Sequence, residues 1–288
     1  MQSVDKLGDN PVHTMLVLLS MVFTVGTAVS GSPTQASQPA NNPATNIVTL
    51  NVGDKVTLKL AYIPAGTFLM GSPAAEQHRF KDGFKDETQH EVTISKPFYM
   101  GICLVTQEQY QQLMGKNPSK FKAPLNPVEN LTWDDAVEFC KALSARTGKS
   151  LRLPTEAQWE YACRAGSTTA YCNGDTPEDL KAVGWCSYDG KWGSAKAPKP
   201  VGSLQPNAWG LYDMHGNLWE YCADWYAADS YANTKRSDPQ GPDTGTHRVV
   251  RGGPWNDYPR DCRSAKREKR TPSSKSFSGG FRVVLDEN

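Results

Sequence analysis

Seven cysteines, Cys103, Cys140, Cys163, Cys172, Cys186, Cys222 and Cys262, carry the most open chemistry in this 288-residue chain. None belongs to a Cys-x-x-Cys unit, which argues against a structural zinc site. In an exported chain, thiols are free to pair as disulfides. The five histidines, His13, His78, His90, His215 and His247, are scattered. His78 and His90 fall in or beside the polar stretch 77–89 and read as solvated loop side chains. Arg260, Arg263, Lys266, Arg267, Lys269 and Arg270 crowd one segment with Asp261 and Glu268 among them. That composition reads as a solvated, partly salt-bridged face, with an anionic ligand or partner as the alternative. No P-loop, G-x-S-x-G elbow or H-E-x-x-H helix occurs in the sequence.

These groups must be positioned by a scaffold with many turns. The chain holds 24 Gly and 20 Pro, and 38% of its residues are apolar, which suits a loop-rich α+β domain. Alternation in 48–52 and 56–60 predicts two strands hairpinned around Gly53-Asp54. Residues 67–70 and 91–95 are further strand candidates. Helices are predicted at 106–114, 132–148 and 155–164, each opening on a Thr that can cap it. In the second, Ala136, Val137, Cys140 and Leu143 form the apolar stripe and Gly148 ends it. In the third, Trp159 and Ala162 or Cys163 face the core, and Gly166 stops it. A short helix is predicted at 177–181.

Lys and Arg together number 31 against 30 Asp and Glu, so no global field draws the chain to nucleic acid or an anionic membrane. Residues 15–30 form an apolar run short for a bilayer span, with Ala28 and Ser30 placed as at a signal-peptidase site. The segment 1–30 therefore reads as a signal peptide, or as an N-terminal anchor and membrane tether if uncleaved. Residues 31–47 read as a disordered linker, and 48–288 as one domain, expected to be an exported monomer in the periplasm or outside the cell.

Residues 207–226 place Trp209, Tyr212, Trp219, Tyr221, Trp225 and Tyr226 among the turn formers Gly210, Gly216 and Asn217. This points to an irregular, aromatic-cored segment around which the domain packs. Its GLYDMHGNLWEY resembles the G-L-x-D-M-x-G-N-x-W-E-W signature of the formylglycine-generating enzyme, or sulfatase-modifying factor, family. LRLPTEAQWEYACRAG at 151–166, RGGPW at 251–255 with GFR at 280–282, IPAGTFLMGS at 63–72 and PFYMG at 97–101 resemble its other blocks in order. The resemblance covers about residues 58–285 and implies a loop-rich α+β fold related to C-type lectins.

It also implies site residues. Calcium ligands would be the Asp213 and Glu220 side chains with the Gly216 and Leu218 carbonyls, and a Gly-Asn turn lets carbonyls converge on a hard cation. The residue-level alternative is a turn in which Asp213 caps amides and Glu220 pairs with an Arg. A Cys163–Cys262 disulfide is implied, with Cys140 left as a buried thiol. Family oxidases hold copper between two cysteines spaced Cys-x4-Cys after R-G-G and oxidise a Cys in a sulfatase C-x-P-x-R segment. Here those positions, just beyond Trp255, are Asp257 and Cys262, and one thiol with one Asp does not make a two-sulfur Cu(I) site. The three-histidine iron site of other members has no counterpart, since no H-x3-H-x-E spacing occurs. Two readings follow. One is a calcium-stabilised binding or accessory module for a protein or peptide, a sulfatase among the candidates. The other is an oxidase in which Trp255, Asp257 and Cys262 stand at the copper site with a further ligand.

Overall fold

The computed structural model describes residues 46–79, 87–233 and 236–287. The expected signal segment and nearly all of the expected linker lie outside them, and Ile47 already opens the first strand. The strands are β1 (Ile47–Gly53), β2 (Val56–Ile63), β3 (Gly66–Met70), β4 (His90–Ile94), β5 (Phe98–Gly101), β6 (Leu151–Arg152), β7 (Gly184–Trp185), β8 (His215–Gly216), β9 (Trp219–Trp225), β10 (Arg248–Arg251), β11 (Glu268–Arg270), β12 (Gly279–Gly280) and β13 (Val284–Asp286). The helices are α1 (Gln107–Met114), α2 (Trp133–Thr147), α3 (Glu156–Arg164), α4 (Pro177–Leu180) and α5 (Ser230–Asn233), and Pro259–Cys262 is a 3-10 turn. The architecture is α+β with short elements joined by long irregular stretches.

One sheet has strand order β1-β2-β5-β13-β6 and a second β11-β10-β9-β12. Two-stranded pairs β3-β4 and β7-β8 complete the ladders among the described residues. The β1–β2 turn uses Asp54 and Lys55, with Gly53 paired to Val56, so the hairpin tip sits one residue beyond the expected position. The 207–226 stretch is irregular only in its first half. From Trp219 it becomes β9, whose first four residues are all buried. A strand covered on both faces shows no polar alternation, which is why the sequence pattern missed it.

Capping boxes open α1, α2 and α3 at Thr106, Thr132 and Thr155, as the sequence predicted. Each Thr hydroxyl accepts the third helical amide, and the side chain of that residue returns a bond to the Thr amide. α2 buries Ala136, Phe139, Cys140 and Leu143, with Phe139 taking the place expected of the half-buried Val137. α3 ends on Ala165 in the left-handed region, one residue ahead of Gly166. It is buried on nearly all sides, Glu156, Glu160 and Arg164 included.

The basic segment departs furthest from its expectation as a solvated face. Arg263, Lys266 and Arg267 are buried and ion-paired. Arg267 forks onto Glu156 with Nε–Oε1 at 2.7 Å and Nη2–Oε2 at 2.9 Å. Arg263 reaches Glu87 at 2.8 and 2.9 Å and Glu76 at 2.5 Å. Glu160 lies between Arg164, at 2.9 Å, and Arg251. Glu156 and Glu160 are one helical turn apart, so α3 presents both to arginines on and beyond β10. Arg260 keeps a half-exposed side chain.

Candidate functional site

The first half of the aromatic stretch is held by Asn207. Its Nδ2 donates to the carbonyls of Ala162 and Cys163 at the end of α3, and its Oδ1 accepts from the Trp209 and Leu211 amides. The chain then turns through Asp213 at φ 56° and Asn217 at φ 67°. Gly216 between them is obligatory, because a Cβ there would lie 2.2 Å from the Trp185 carbonyl oxygen. The turn thus presses β8 against β7 and brings Asp213, Gly216, Leu218 and Glu220 into one buried region.

Both residue-level alternatives for the carboxylates are realised. Asp213 Oδ2 accepts the Gly202 amide at 2.8 Å. Glu220 Oε2 accepts from Trp159 Nε1 at 3.0 Å and Arg282 Nε at 2.6 Å, and its Oε1 accepts from Arg282 Nη2 at 2.7 Å. Asp213 Oδ1 is buried with no hydrogen-bond partner. Burial, and secondarily the Glu220 charge, pushes the Asp213 carboxyl up to about 6. Four lone-pair sites on Glu220 meet three N–H donors, so one remains on Oε1. At this turn Asp213 Oδ1 is an unpartnered carboxylate oxygen, and a hard cation here would have to be held chiefly by carbonyl oxygens. Among the described residues no group of three or more His, Cys, Asp or Glu could hold a metal ion.

The second stretch runs beside the first. Arg251 pairs with Glu220 across β10 and β9, and the Trp255 amide donates to Asn217 O at 2.8 Å. Trp255 is buried and meets Phe121 edge-on at 5.4 Å, with its Nε1 unpartnered. Asp257 is half-buried, and its carbonyl accepts the Ser187 amide at 2.8 Å. Burial, then the neighbouring Asp261 carboxylate, pushes Asp257 up to about 6. Cys262 is fully buried at the end of the 3-10 turn.

The implied Cys163–Cys262 bridge is not formed: all seven cysteines are free thiols. Cys163 Sγ faces His215 Nε2 at 3.6 Å and Ser264 Oγ at 3.8 Å, so the position opposite Cys163 is Ser264, two residues past Cys262. The Cys262 thiol instead lies in one buried cluster with Cys186, and that neighbour together with burial holds it well above the ordinary thiol range. His215 binds the region together through Nδ1 to Cys262 O at 2.9 Å and Nε2 accepting the Cys172 amide at 3.0 Å. Burial lowers its pKa to about 4, so the ring is neutral, which the accepting Nε2 requires. Cys140 is a buried thiol on α2, as expected.

Beside the 3-10 turn a surface cavity of about 550 Å³ is lined by Tyr171, Tyr258, Pro259, Arg260, Arg263 and His78, among others. Tyr171 forms its inner wall, donating to Pro259 O at 3.0 Å and meeting the His215 ring edge-on at 5.7 Å. Arg260 stacks over Tyr258 at 4.7 Å and puts a positive charge on the rim. Neither Cys262 nor Asp257 lines it. His78 is exposed at this cavity, as expected of a loop histidine, while His90 is half-buried in β4 with its ring 4.6 Å from Tyr231. Tyr171 and Cys186 were not singled out in the sequence. Each sits in a turn-rich stretch without periodicity, and only the fold carries them to Cys262.

A family model described as "Sulfatase-modifying factor enzyme 1-like domain" matches residues 52–287. The chain is 37% identical over 190 residues to a formylglycine-generating enzyme of Thermomonospora curvata, covering 60% of this chain and 59% of that one. It is 38% identical over 177 residues to one of Streptomyces coelicolor, covering 57% and 54%. The matches thus span only a little over half of those relatives' length. Among solved structures, Treponema denticola variable protein 1 superposes with a TM-score of 0.74 at 27% identity, over 84% of this chain and 99% of that one.

Proposed function

The chain belongs to the family of sulfatase-modifying factor enzyme 1-like domains, and on that premise we propose that it is an exported, monomeric binding module, not a copper-dependent oxidase. One observation carries this reading. Cys262, the thiol left at the expected copper position, is buried against Cys186 with no face on the cavity, while Asp257 occupies the companion position. A protonated, enclosed thiol and a carboxylate do not offer the paired thiolates that hold Cu(I). The cavity itself suits a peptide. Tyr171, Tyr258 and Pro259 supply apolar area, and Arg260 supplies a charge for an acidic group at the rim.

Calcium belongs to the proposal as a structural ion held by Asp213, the remaining Glu220 lone pair and the Gly216 and Leu218 carbonyls. It would neutralise the buried Asp213 carboxylate and stiffen the turn. Thermal unfolding with millimolar calcium or with chelator checks this. Calcium should raise the midpoint of the wild type and leave Asp213→Ala unmoved, and equal responses from the two proteins would remove the ion from the reading.

The oxidase reading keeps one observation in its favour, the second thiol that Cys186 brings to Cys262. Turnover separates the two. The full chain, loaded with copper, is given a C-x-P-x-R peptide under oxygen beside an active family enzyme, with aldehyde read by mass spectrometry and peptide binding by fluorescence anisotropy. Binding without aldehyde is the expected result. Multiple turnovers would overturn the binding-module reading.

A further inference from the structure

Cys186 and Cys262 are distant in sequence and meet in one small apolar cluster with Ala170, Tyr171, Leu180 and Val183. Both are buried in that cluster. The two stretches that carry them are also joined through the backbone. The Ser187 amide donates to Asp257 O at 2.8 Å and the Gly193 amide to Asn256 O at 2.9 Å. Contact of side chains on segments already fastened to each other is what a bridge needs, since a disulfide closes only where the two Cα atoms are near and their Cβ vectors converge. Cys163 does not compete for Cys262, because its sulfur is directed at His215, Ser264 and the Met214 carbonyl.

We propose that Cys186 and Cys262 form a disulfide that fastens the loop following β7 to the 3-10 turn beside the cavity. The bridge holds Tyr258, Pro259 and Arg260 of the cavity wall against a loop that leads to Trp192, whose side chain is 64% exposed. Both sulfurs are enclosed in the folded chain, so the bond forms while the cluster is still open during folding. The oxidant is a small-molecule disulfide of the glutathione type. One Cys thiolate attacks it to give a mixed disulfide and one released thiol, and the second Cys thiolate then displaces the remaining half. Two thiol protons leave the protein, and the electron pair ends on the two released thiols. The bridge does not depend on what the cavity binds, but once formed it leaves neither sulfur free for copper.

The full chain is refolded in a glutathione redox buffer, free thiols are alkylated, and peptides are mapped by mass spectrometry without reduction. The expected product links the peptides bearing Cys186 and Cys262, with Cys163 alkylated. A Cys163–Cys262 linkage, or alkylation of both Cys186 and Cys262, would overturn the proposal. Mapping uses the wild type alone, so it decides even where a variant folds poorly. As a second readout, reductant should lower the thermal midpoint of the bridged protein by roughly 5–10 °C. Cys186→Ser should abolish that sensitivity and Cys163→Ser should retain it. The opposite pattern would count equally against the bridge.

Discussion

α3 borders two buried polar regions, one built of ion pairs and one of thiols and an imidazole. Towards β10 it offers Glu156 and Glu160 to Arg164, Arg251 and Arg267, and these side chains form ion pairs with almost no exposure. Burial alone would raise the Glu156 carboxyl, but Arg267 and Arg251 outweigh it and hold it below its ordinary range. On the other side Cys163 meets His215, near Cys172, Cys186 and Cys262, with no ion pair among them. There burial outweighs the local hydrogen bonds, lowering His215 to about 4 and raising Cys172 to about 11. The two regions differ in whether an opposite charge stands within bonding distance of the buried group, which favours its ionised form.

The contrast is most directly broken by Glu160→Gln. Arg251 and Arg164 would keep their charges in a buried site with their shared carboxylate gone. The expected cost is about 3–5 kcal/mol, read from urea unfolding. A loss below about 1 kcal/mol would mean that the carbonyl acceptors of Lys266, Gly71 and Thr169 suffice and that the carboxylate is not what keeps the arginines charged.

Asp224 sharpens it from within the charged region. It is buried beside Glu156, and burial, then the Glu156 charge, raises its carboxyl from 3.8 to about 7. Between these values the folded chain binds a proton that the unfolded chain has released. The stability held by this group is therefore complete below about pH 4, declines as pH rises towards 7, and stays lost above it. Asp224→Asn removes the titration. The stability of the wild type relative to this variant should fall from pH 4 to pH 7, measured as the difference in unfolding free energy. A difference independent of pH would show that the carboxyl is already ionised in the fold.

The smallest effect is expected in the neutral region. Cys163→Ala removes a thiol that pairs with no charge and leaves a small void, at a cost of about 1 kcal/mol. A penalty comparable to that of Glu160→Gln would place a charged thiolate–imidazolium pair where neutral groups are described.

The elements legible in the sequence were those whose determinants are local. Thr106, Thr132 and Thr155 announce helix starts because capping is settled within four residues. The β1–β2 hairpin follows from alternation beside a turn signal. β9 was illegible because burial of both its faces erases the period-two pattern, and β12 and β13 because two or three residues carry no pattern. Of the candidate site, Asp213 and Glu220 are brought together, while their partners, the Gly202 amide and Arg282, come from elsewhere in the chain. The solvated-face reading of residues 260–270 failed because the acidic partners of Arg263 and Arg267 lie at Glu76, Glu87 and Glu156, beyond the reach of any local charge pattern.

By itself the sequence determined the family blocks, the capped helices, the α+β class, the turn at Gly216-Asn217 and the replacement of one expected thiol by Asp257. Each of these is a property of a residue or of its near neighbours. Only the tertiary structure decided that Cys262 meets Cys186 and not Cys163, that the basic segment is buried, and that Asp257 and Cys262 lie outside the cavity. Those outcomes depend on contacts between distant segments, and in a fold built from short elements and long irregular stretches such contacts are fixed by packing.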